Sequence, residues 1–254
     1  MGFTPYDWNE NIQHRLEYVE TRLRQGSPVA GLRFDGGVLL LSLRKSQRKV
    51  FEVFDHILFA GIGSQSDVEG IRIASIDFAH QEAFNRSPDD VSVQRLAAGL
   101  SPTLKKAFGD GFNSPFVFRG LFAEIGREPD RDQFTALNYD GEYSVQPEFG
   151  AIAGSGDAEK RMQEVLGRHN GKRLPLDDAI RLALEAWTEG RSVARRLPPR
   201  QDGREEEDAE ESGPETVLSE ALKEAEIEVG VLERHGKTVR FHLVPKTEIE
   251  RIRR

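Results

Sequence analysis

The chain has 254 residues, a formal net charge of −8 and no cysteine. The missing cysteine excludes disulfides, thiol catalysis and cysteine-ligated metal sites, and the six histidines show no ligand spacing such as HxxxH or HExxH. Eight acidic residues and one arginine lie between Asp202 and Glu215. This segment therefore carries almost all of the net charge, and the rest of the sequence indicates no basic surface for nucleic acid.

The first residues, MGFTPYDW, lack the basic and apolar regions of a signal peptide. The apolar run Val38 to Leu41 is too short to span a bilayer. We therefore expect a cytoplasmic protein with no membrane partner, no cofactor and no metal.

An amphipathic helix is predicted over residues 9–26. Asp7 is suited to cap it, and Glu10 stands three residues later, as in a capping box. Its apolar residues recur at helical spacing: Ile12, Leu16, Val19 and Leu23. Gly26 then ends the pattern, so the helix has one apolar face to bury.

Four strands are predicted next, over residues 28–34, 38–43, 49–53 and 56–62. They are separated by Asp-Gly-Gly, a polar basic stretch and a tight Phe-Asp turn. Helical periodicity follows, and it predicts helices over residues 64–85 and 90–108.

The second half repeats this alternation of strands and helices. Strands are predicted over residues 116–125 and 134–138, followed by a hairpin turn at 139–142, a strand ending at 151–154, and helices over 157–168 and from Pro175 onwards. Residues 191–216 contain almost nothing apolar, which predicts a disordered acidic insertion. A hairpin turning at His235-Gly236 and a short basic helix complete the chain. The order predicts a single α+β domain, residues 1–254, with two stacked antiparallel sheets between helical layers.

Five strings, in this order and spacing, resemble the proteasome α-type subunits of archaea and bacteria, members of the Ntn-hydrolase superfamily. They are RLEYVETRLRQGSPVAGLRFDGGVLLLS, RKVFEVFDHILFAGIGSQSDVEGIR, AIAGSGDAEKRMQEVL, PLDDAIRLALEAW and EIEVGVLER. The similarity runs over nearly the whole chain. It implies the four-layer αββα sandwich of the Ntn-hydrolase, proteasome-subunit fold, with an N-terminal helix.

The resemblance also locates the catalytic positions of the related β-type subunits, whose nucleophile is an N-terminal threonine. It places Ser27 at the nucleophile, Lys49 at the lysine and Ser155 at a supporting serine. The acid falls at Leu43, and a leucine can neither accept a hydrogen bond nor orient an ammonium group. Pro28, directly after the nucleophile position, is a further departure from the pattern of the catalytic β-type subunits.

These departures predict that the chain is not an enzyme. Residues 1–26 include the helix that α-type subunits keep, so the amine of Ser27 should stay in a peptide bond. The resemblance implies a non-catalytic subunit of the proteasome core particle that forms a heptameric ring of identical subunits. Proteolysis would then be carried by partner β subunits, in which this fold acts as a threonine protease.

The resemblance implies two further sites. Lys49 matches the lysine that binds the C-terminal carboxylate of a ring-shaped AAA+ ATPase activator. The other predicted positions of this docking pocket are Glu17, Gly63 and Ser64. Residues 1–8 correspond to the gate over the axial pore, with Pro5, Tyr6 and Asp7 as the gate residues.

Three alternatives stay open on the sequence alone. The chain could be a self-processed Ntn peptidase that cleaves between Gly26 and Ser27, or an α-like ring that acts alone as a scaffold. In a purely structural interpretation, Lys49 is a strand-edge lysine and Glu17 a solvated helix residue. Trp187 is expected to belong to the core in every case.

Overall fold

Two five-stranded antiparallel sheets lie face to face in the computed structural model, which describes residues 5–111, 113–196, 213–234 and 240–253. The side chains of residues 5–8, 195, 196 and 214 are not described. The strands are β1 (Val29–Phe34), β2 (Gly37–Arg44), β3 (Val50–Phe54), β4 (Ile57–Gly63), β5 (Phe118–Glu124), β6 (Gln133–Asn138), β7 (Tyr143–Gln146), β8 (Phe149–Ile152), β9 (Glu226–Glu233) and β10 (Phe241–Leu243). The first sheet has the order β8-β1-β2-β9-β10, and the second has the order β3-β4-β5-β6-β7.

The helices are α1 (Pro5–Leu23), α2 (Gln65–Asn85), α3 (Val93–Gly109), α4 (Gly156–Leu166), α5 (Leu176–Arg196), α6 (Pro214–Glu224) and α7 (Lys246–Arg253). Helix α1 packs with Val19 and Leu23 against the core between the sheets, and other helices cover the outer faces of both sheets. Helices α4 and α5 pack on the first sheet, and α2 and α3 pack on the second. The predicted four-layer αββα sandwich with an N-terminal helix is thus confirmed. In the described part of the chain, no helix combines the length and apolar character that crossing a bilayer requires.

Strand β2 shows why the chain forms layers. It is buried on both faces: Leu39 and Leu41 point to the core under α4 and α5, whereas Val38 and Leu40 point to the core between the sheets. This alternation follows from the two-residue period of a strand. A third core lies between the second sheet and helices α2 and α3.

The N-terminal helix differs from its predicted bounds of 9–26. It begins at Pro5 and ends at Leu23, so Asp7 lies within its first turn and is not its cap. Proline has no N–H to satisfy and a fixed φ angle, and both properties suit the first turn of a helix. The capping-box interpretation of Asp7 was wrong because it overlooked this signal.

The predicted disordered insertion, residues 191–216, is also wrong at both ends. Helix α5 continues to Arg196, with Ser192 buried, and α6 begins at Pro214. Val193 and Ala194 also pack against the core, so the helix extends beyond the predicted boundary. Residues 197–212 lie outside the described residues, as does the turn predicted at His235-Gly236. Strands β9 and β10, which flank that turn, do pair.

Helix α1 is attached to the end of α3 by one side chain. The Arg15 guanidinium donates from Nε to the carbonyl of Phe108 (2.8 Å) and from its two terminal nitrogens to the carbonyls of Ala107 (2.8 Å) and Asn113 (2.7 Å). The last carbonyls of a helix have no partner within the helix. Arg15 therefore caps α3 and fixes the position of α1 at the same time.

We predict that Arg15→Met lowers the free energy of unfolding by about 2 kcal/mol, because hydrogen bonds to a charged group contribute about 1.5–3 kcal/mol and these are partly exposed. In a chain of this size the thermal midpoint should fall by about 4–8 °C. Arg22→Met on the same helix is the matched control: its exposed guanidinium lies over the Tyr18 ring, a contact of about 0.5–1 kcal/mol. Equal losses in the two variants would contradict the capping role.

Candidate functional site

A cavity of about 420 Å³ opens where β1 begins, β2 ends, β3 begins and β4 ends. We call it the Lys49 cavity. It is lined by Gln25, Gly26, Ser27, Leu43, Lys45, Ser46, Gln47, Arg48, Lys49, Phe51, Gly61, Ile62, Gly63, Gln65, Val68 and Glu69. The structure therefore brings together the predicted nucleophile, acid and lysine positions.

The hydroxyl group of Ser27 makes two hydrogen bonds, one as acceptor and one as donor. Trp187 Nε1 donates to Ser27 Oγ (3.1 Å), and Ser42 Oγ lies 3.3 Å from it. Ser42 donates its own proton to the Pro28 carbonyl (2.7 Å), so in the contact between the two serines the proton comes from Ser27. Trp187, predicted only as a core residue, is buried as expected and also holds this hydroxyl group.

The two other catalytic positions give Ser27 no help. Leu43 is 3% exposed and packs in the core under α4 and α5, so it supplies no acceptor. Ser155 caps α4 by accepting a hydrogen bond from the Ala158 N–H (3.3 Å), and it lines a different cavity beside Arg119. The structure therefore does not bring Ser155 to the predicted site.

The Lys49 ammonium group lies inside the cavity and donates to the carbonyl of Ser27 (3.0 Å). Burial lowers the pKa of Lys49 to about 8, an effect that nearby Glu228 opposes and Arg191 reinforces. In the described part of the chain, no carboxylate lies within salt-bridge distance of Lys49 Nζ. The lysine thus keeps a charge at neutral pH at an energetic cost.

Glu228 explains why this ammonium group has no acidic partner. Its buried carboxylate accepts from the backbone N–H groups of Val50 (3.0 Å) and Lys49 (3.3 Å), and Arg44 Nε lies 3.3 Å away. These contacts tie β9 of the first sheet to β3 of the second. Sequence reasoning missed Glu228, because an acidic residue in the alternating string EIEVGVL indicates a solvent-facing position.

A groove of about 440 Å³ adjoins the Lys49 cavity and shares Gln25, Gly26 and Gly63 with it. Gly63 has φ +130°, and an added Cβ would lie 1.9 Å from the Val117 carbonyl oxygen. The backbone therefore requires glycine here whatever the site does. We call this the Gly63 groove.

The other predicted docking residues are arranged less closely around Lys49. Ser64 lines the Gly63 groove, and its N–H donates to the Val117 carbonyl (2.8 Å). Glu17 is exposed on α1 and lines neither the Lys49 cavity nor the Gly63 groove. Pro5, Tyr6 and Asp7 form the first turn of α1, and their role as a gate stays a prediction.

We predict that Lys49→Met raises the thermal midpoint at pH 6.5, because it removes a charge from a site that disfavours it. The folded pKa is about 8 and the unfolded one is about 10.5, so the unfolded chain binds more protons between these values. The stability of the parent should therefore rise with pH in this window, and the advantage of the variant should shrink there. Thermal unfolding from pH 6.5 to 10 measures this. If Lys49→Met were less stable than the parent at pH 6.5, the conclusion that charged Lys49 destabilises the folded chain would be contradicted.

Metal chemistry gains no support from the described residues, among which no three His, Cys, Asp or Glu side chains cluster as metal ligands.

Comparison with known proteins identifies the family. The family model described as "Proteasome subunit" matches residues 23–193. The Proteasome subunit alpha of Acidothermus cellulolyticus is 30% identical over 176 residues, which cover 68% of this chain and 74% of that protein. The Proteasome subunit alpha of Kineococcus radiotolerans is 30% identical over 178 residues (69% and 73%), and that of Thermobifida fusca is 26% identical over 188 (73% and 74%). The chain belongs to the proteasome subunit family, as an α-type subunit.

Proposed function

We propose that this chain is a non-catalytic subunit of a proteasome core particle, and that its Lys49 cavity receives the C-terminal carboxylate of an activator. In this proposal identical copies form a heptameric outer ring that joins β subunits. Residues 1–8 gate substrate entry, a ring-shaped AAA+ ATPase docks on the outer face, and the particle works in the cytoplasm. One observation carries the proposal: the buried ammonium group of Lys49 lines a cavity beside a serine whose hydroxyl group is hydrogen-bonded to Trp187 and Ser42.

The proposal of a non-catalytic subunit is supported by the proton transfer that catalysis would need. A serine nucleophile needs a base that takes its proton, and in N-terminal hydrolases this base is the residue's own α-amine. The hydroxyl proton of Ser27 is directed to Ser42 Oγ, which is only a weak base. The side chain at the acid position, Leu43, is apolar and buried. These features disfavour the alternative of a self-processed peptidase.

Carboxylate docking suits Lys49 for an electrostatic reason. Its ammonium group has one carbonyl partner in the cavity, and an arriving carboxylate would add a charge-assisted hydrogen bond where solvent competes poorly. The carboxylate would also raise the pKa of Lys49, because an opposite charge favours the ionised form. The adjoining Gly63 groove offers room for the residues that precede the terminal carboxylate.

We predict that Lys49→Ala weakens binding of the activator's tail peptide to the assembled particle by about ten- to a hundredfold. A hydrogen bond to a charged group contributes about 1.5–3 kcal/mol, and about 1.4 kcal/mol is a factor of ten. The affinity of the tail peptide for the parent particle should also fall above pH 8, where the ammonium group of unliganded Lys49 loses its proton. Fluorescence anisotropy with a labelled tail peptide measures both effects.

Two controls make this test specific. A tail peptide ending in an amide should bind the parent about as weakly as the acid form binds Lys49→Ala, and the two losses should not add. Lys45→Ala removes an exposed lysine from the same rim, one that is already paired with Glu224 (2.8 Å), and should change binding less than about threefold. Equal binding of acid and amide peptides to the parent would refute docking at Lys49.

A further inference from the structure

Lys49 has a second chemical property that carboxylate docking does not use, namely a nucleophilic amine. We propose that Lys49 is a site of Nε-acylation by small acyl phosphates, and that acylation closes the docking site. The first part rests on the geometry of the Lys49 cavity alone. The second part rests on the proposed function.

The cavity presents this amine to a small reactant. Lys49 is one of the residues that line this space of about 420 Å³, and the hydrogen bond from its Nζ to the Ser27 carbonyl uses one N–H. A carbonyl oxygen only accepts hydrogen bonds, so it leaves the lone pair of a neutral amine free. The Glu228 carboxylate, the nearest acid that acts on this lysine, is engaged by backbone N–H groups and Arg44. It therefore does not hold the amine in an ion pair.

The rim of the cavity favours an anionic acyl donor. Lys45, which pairs with Glu224 (2.8 Å), and Arg48, which lies 3.8 Å from Glu228, line it beside Lys49. Arg191 from α5 also acts on Lys49 electrostatically. The acidic lining residue Glu69 is neutralised by two hydrogen bonds from Arg72, at 2.6 and 2.8 Å. Positive charge attracts phosphate groups to such a rim. An acyl phosphate therefore fits better here than a neutral ester.

The ionisation of Lys49 makes the amine available near neutral pH. With a pKa of about 8, about a quarter of Lys49 is neutral at pH 7.5, compared with about one in a thousand for a lysine with the ordinary value of 10.5. A less basic amine is a somewhat weaker nucleophile, so the gain in rate is smaller than the gain in neutral fraction. We expect about a tenfold advantage over an exposed lysine.

The reaction is a simple acyl transfer. The Nζ lone pair attacks the acyl carbon and forms the N–C bond. The bond between the acyl carbon and the oxygen that bridges to phosphorus then breaks. Inorganic phosphate leaves with that electron pair and takes the proton released from Nζ, so neither an oxidant nor a reductant is needed. The product is a neutral amide that fills part of the cavity and cannot pair with a carboxylate.

The test compares two lysines within one folded chain. The protein is incubated with acetyl phosphate at pH 7.5, and acetylation at Lys49 and at Lys105, an exposed lysine of α3, is followed by peptide mass spectrometry. We expect Lys49 to react about ten times faster in the folded chain and at about the same rate as Lys105 in 8 M urea. Equal rates in the folded chain would overturn the proposal.

A second measurement separates acylation from docking. Acetylated chain, and separately Lys49→Gln, are assembled and tested with the tail peptide, with Lys49→Arg as the variant that keeps the charge. Loss of binding in the first two, with partial retention in Lys49→Arg, supports the switch. Fast acetylation with unchanged binding would overturn the switch and the docking role while leaving the acylation site intact.

Discussion

The carboxylate of Glu228 is the contact on which the site depends. It accepts the Val50 N–H across the gap between the two sheets, and in doing so it fixes where β3 begins. The nearby Lys49 ammonium group donates to the Ser27 carbonyl, and burial lowers its pKa to about 8 although Glu228 opposes this shift. The proposed reactivity of Lys49 therefore depends on how the sheets are joined.

The site retains the positions of an Ntn-hydrolase active centre but not its chemistry. Ser27 and Lys49 lie together as they would in a catalytic subunit, yet Leu43 faces the core and Trp187 Nε1 donates to Ser27 Oγ. The indole N–H occupies one lone pair of Ser27 Oγ, and the hydroxyl proton is directed to Ser42. The remaining cavity is then available for binding.

Most of the fold could be predicted from the sequence because its signals are local. The two-residue alternation of β2, the turn at Gly141 with φ +83° and the periodicity of α2 each depend on neighbouring residues. Errors arose where a distant contact decided the outcome. The arginines at the end of α5 gave no sign that their helix continues. Helix α6 was missed because its apolar residues pack on a core assembled from other parts of the chain.

The same distinction holds for the candidate site. Matching short strings was sufficient to place Ser27, Lys49 and Gly63 around one cavity. It could not show that Trp187 donates to Ser27 or that Glu228 is buried, since both facts depend on how separate elements meet. Arg15, which joins α1 to the end of α3, was missed for the same reason.

In the proposed function Ser27 holds the position of a nucleophile but stays within the chain. This is tested by the intact mass of the chain purified after co-expression with a β subunit, because a self-processing chain would release Ser27 by cleavage after Gly26. We expect that the residues before Ser27 are retained in the assembled particle and that only the β subunit is shortened. A chain that has lost residues 1–26, with Ser27 at its new terminus, would contradict it.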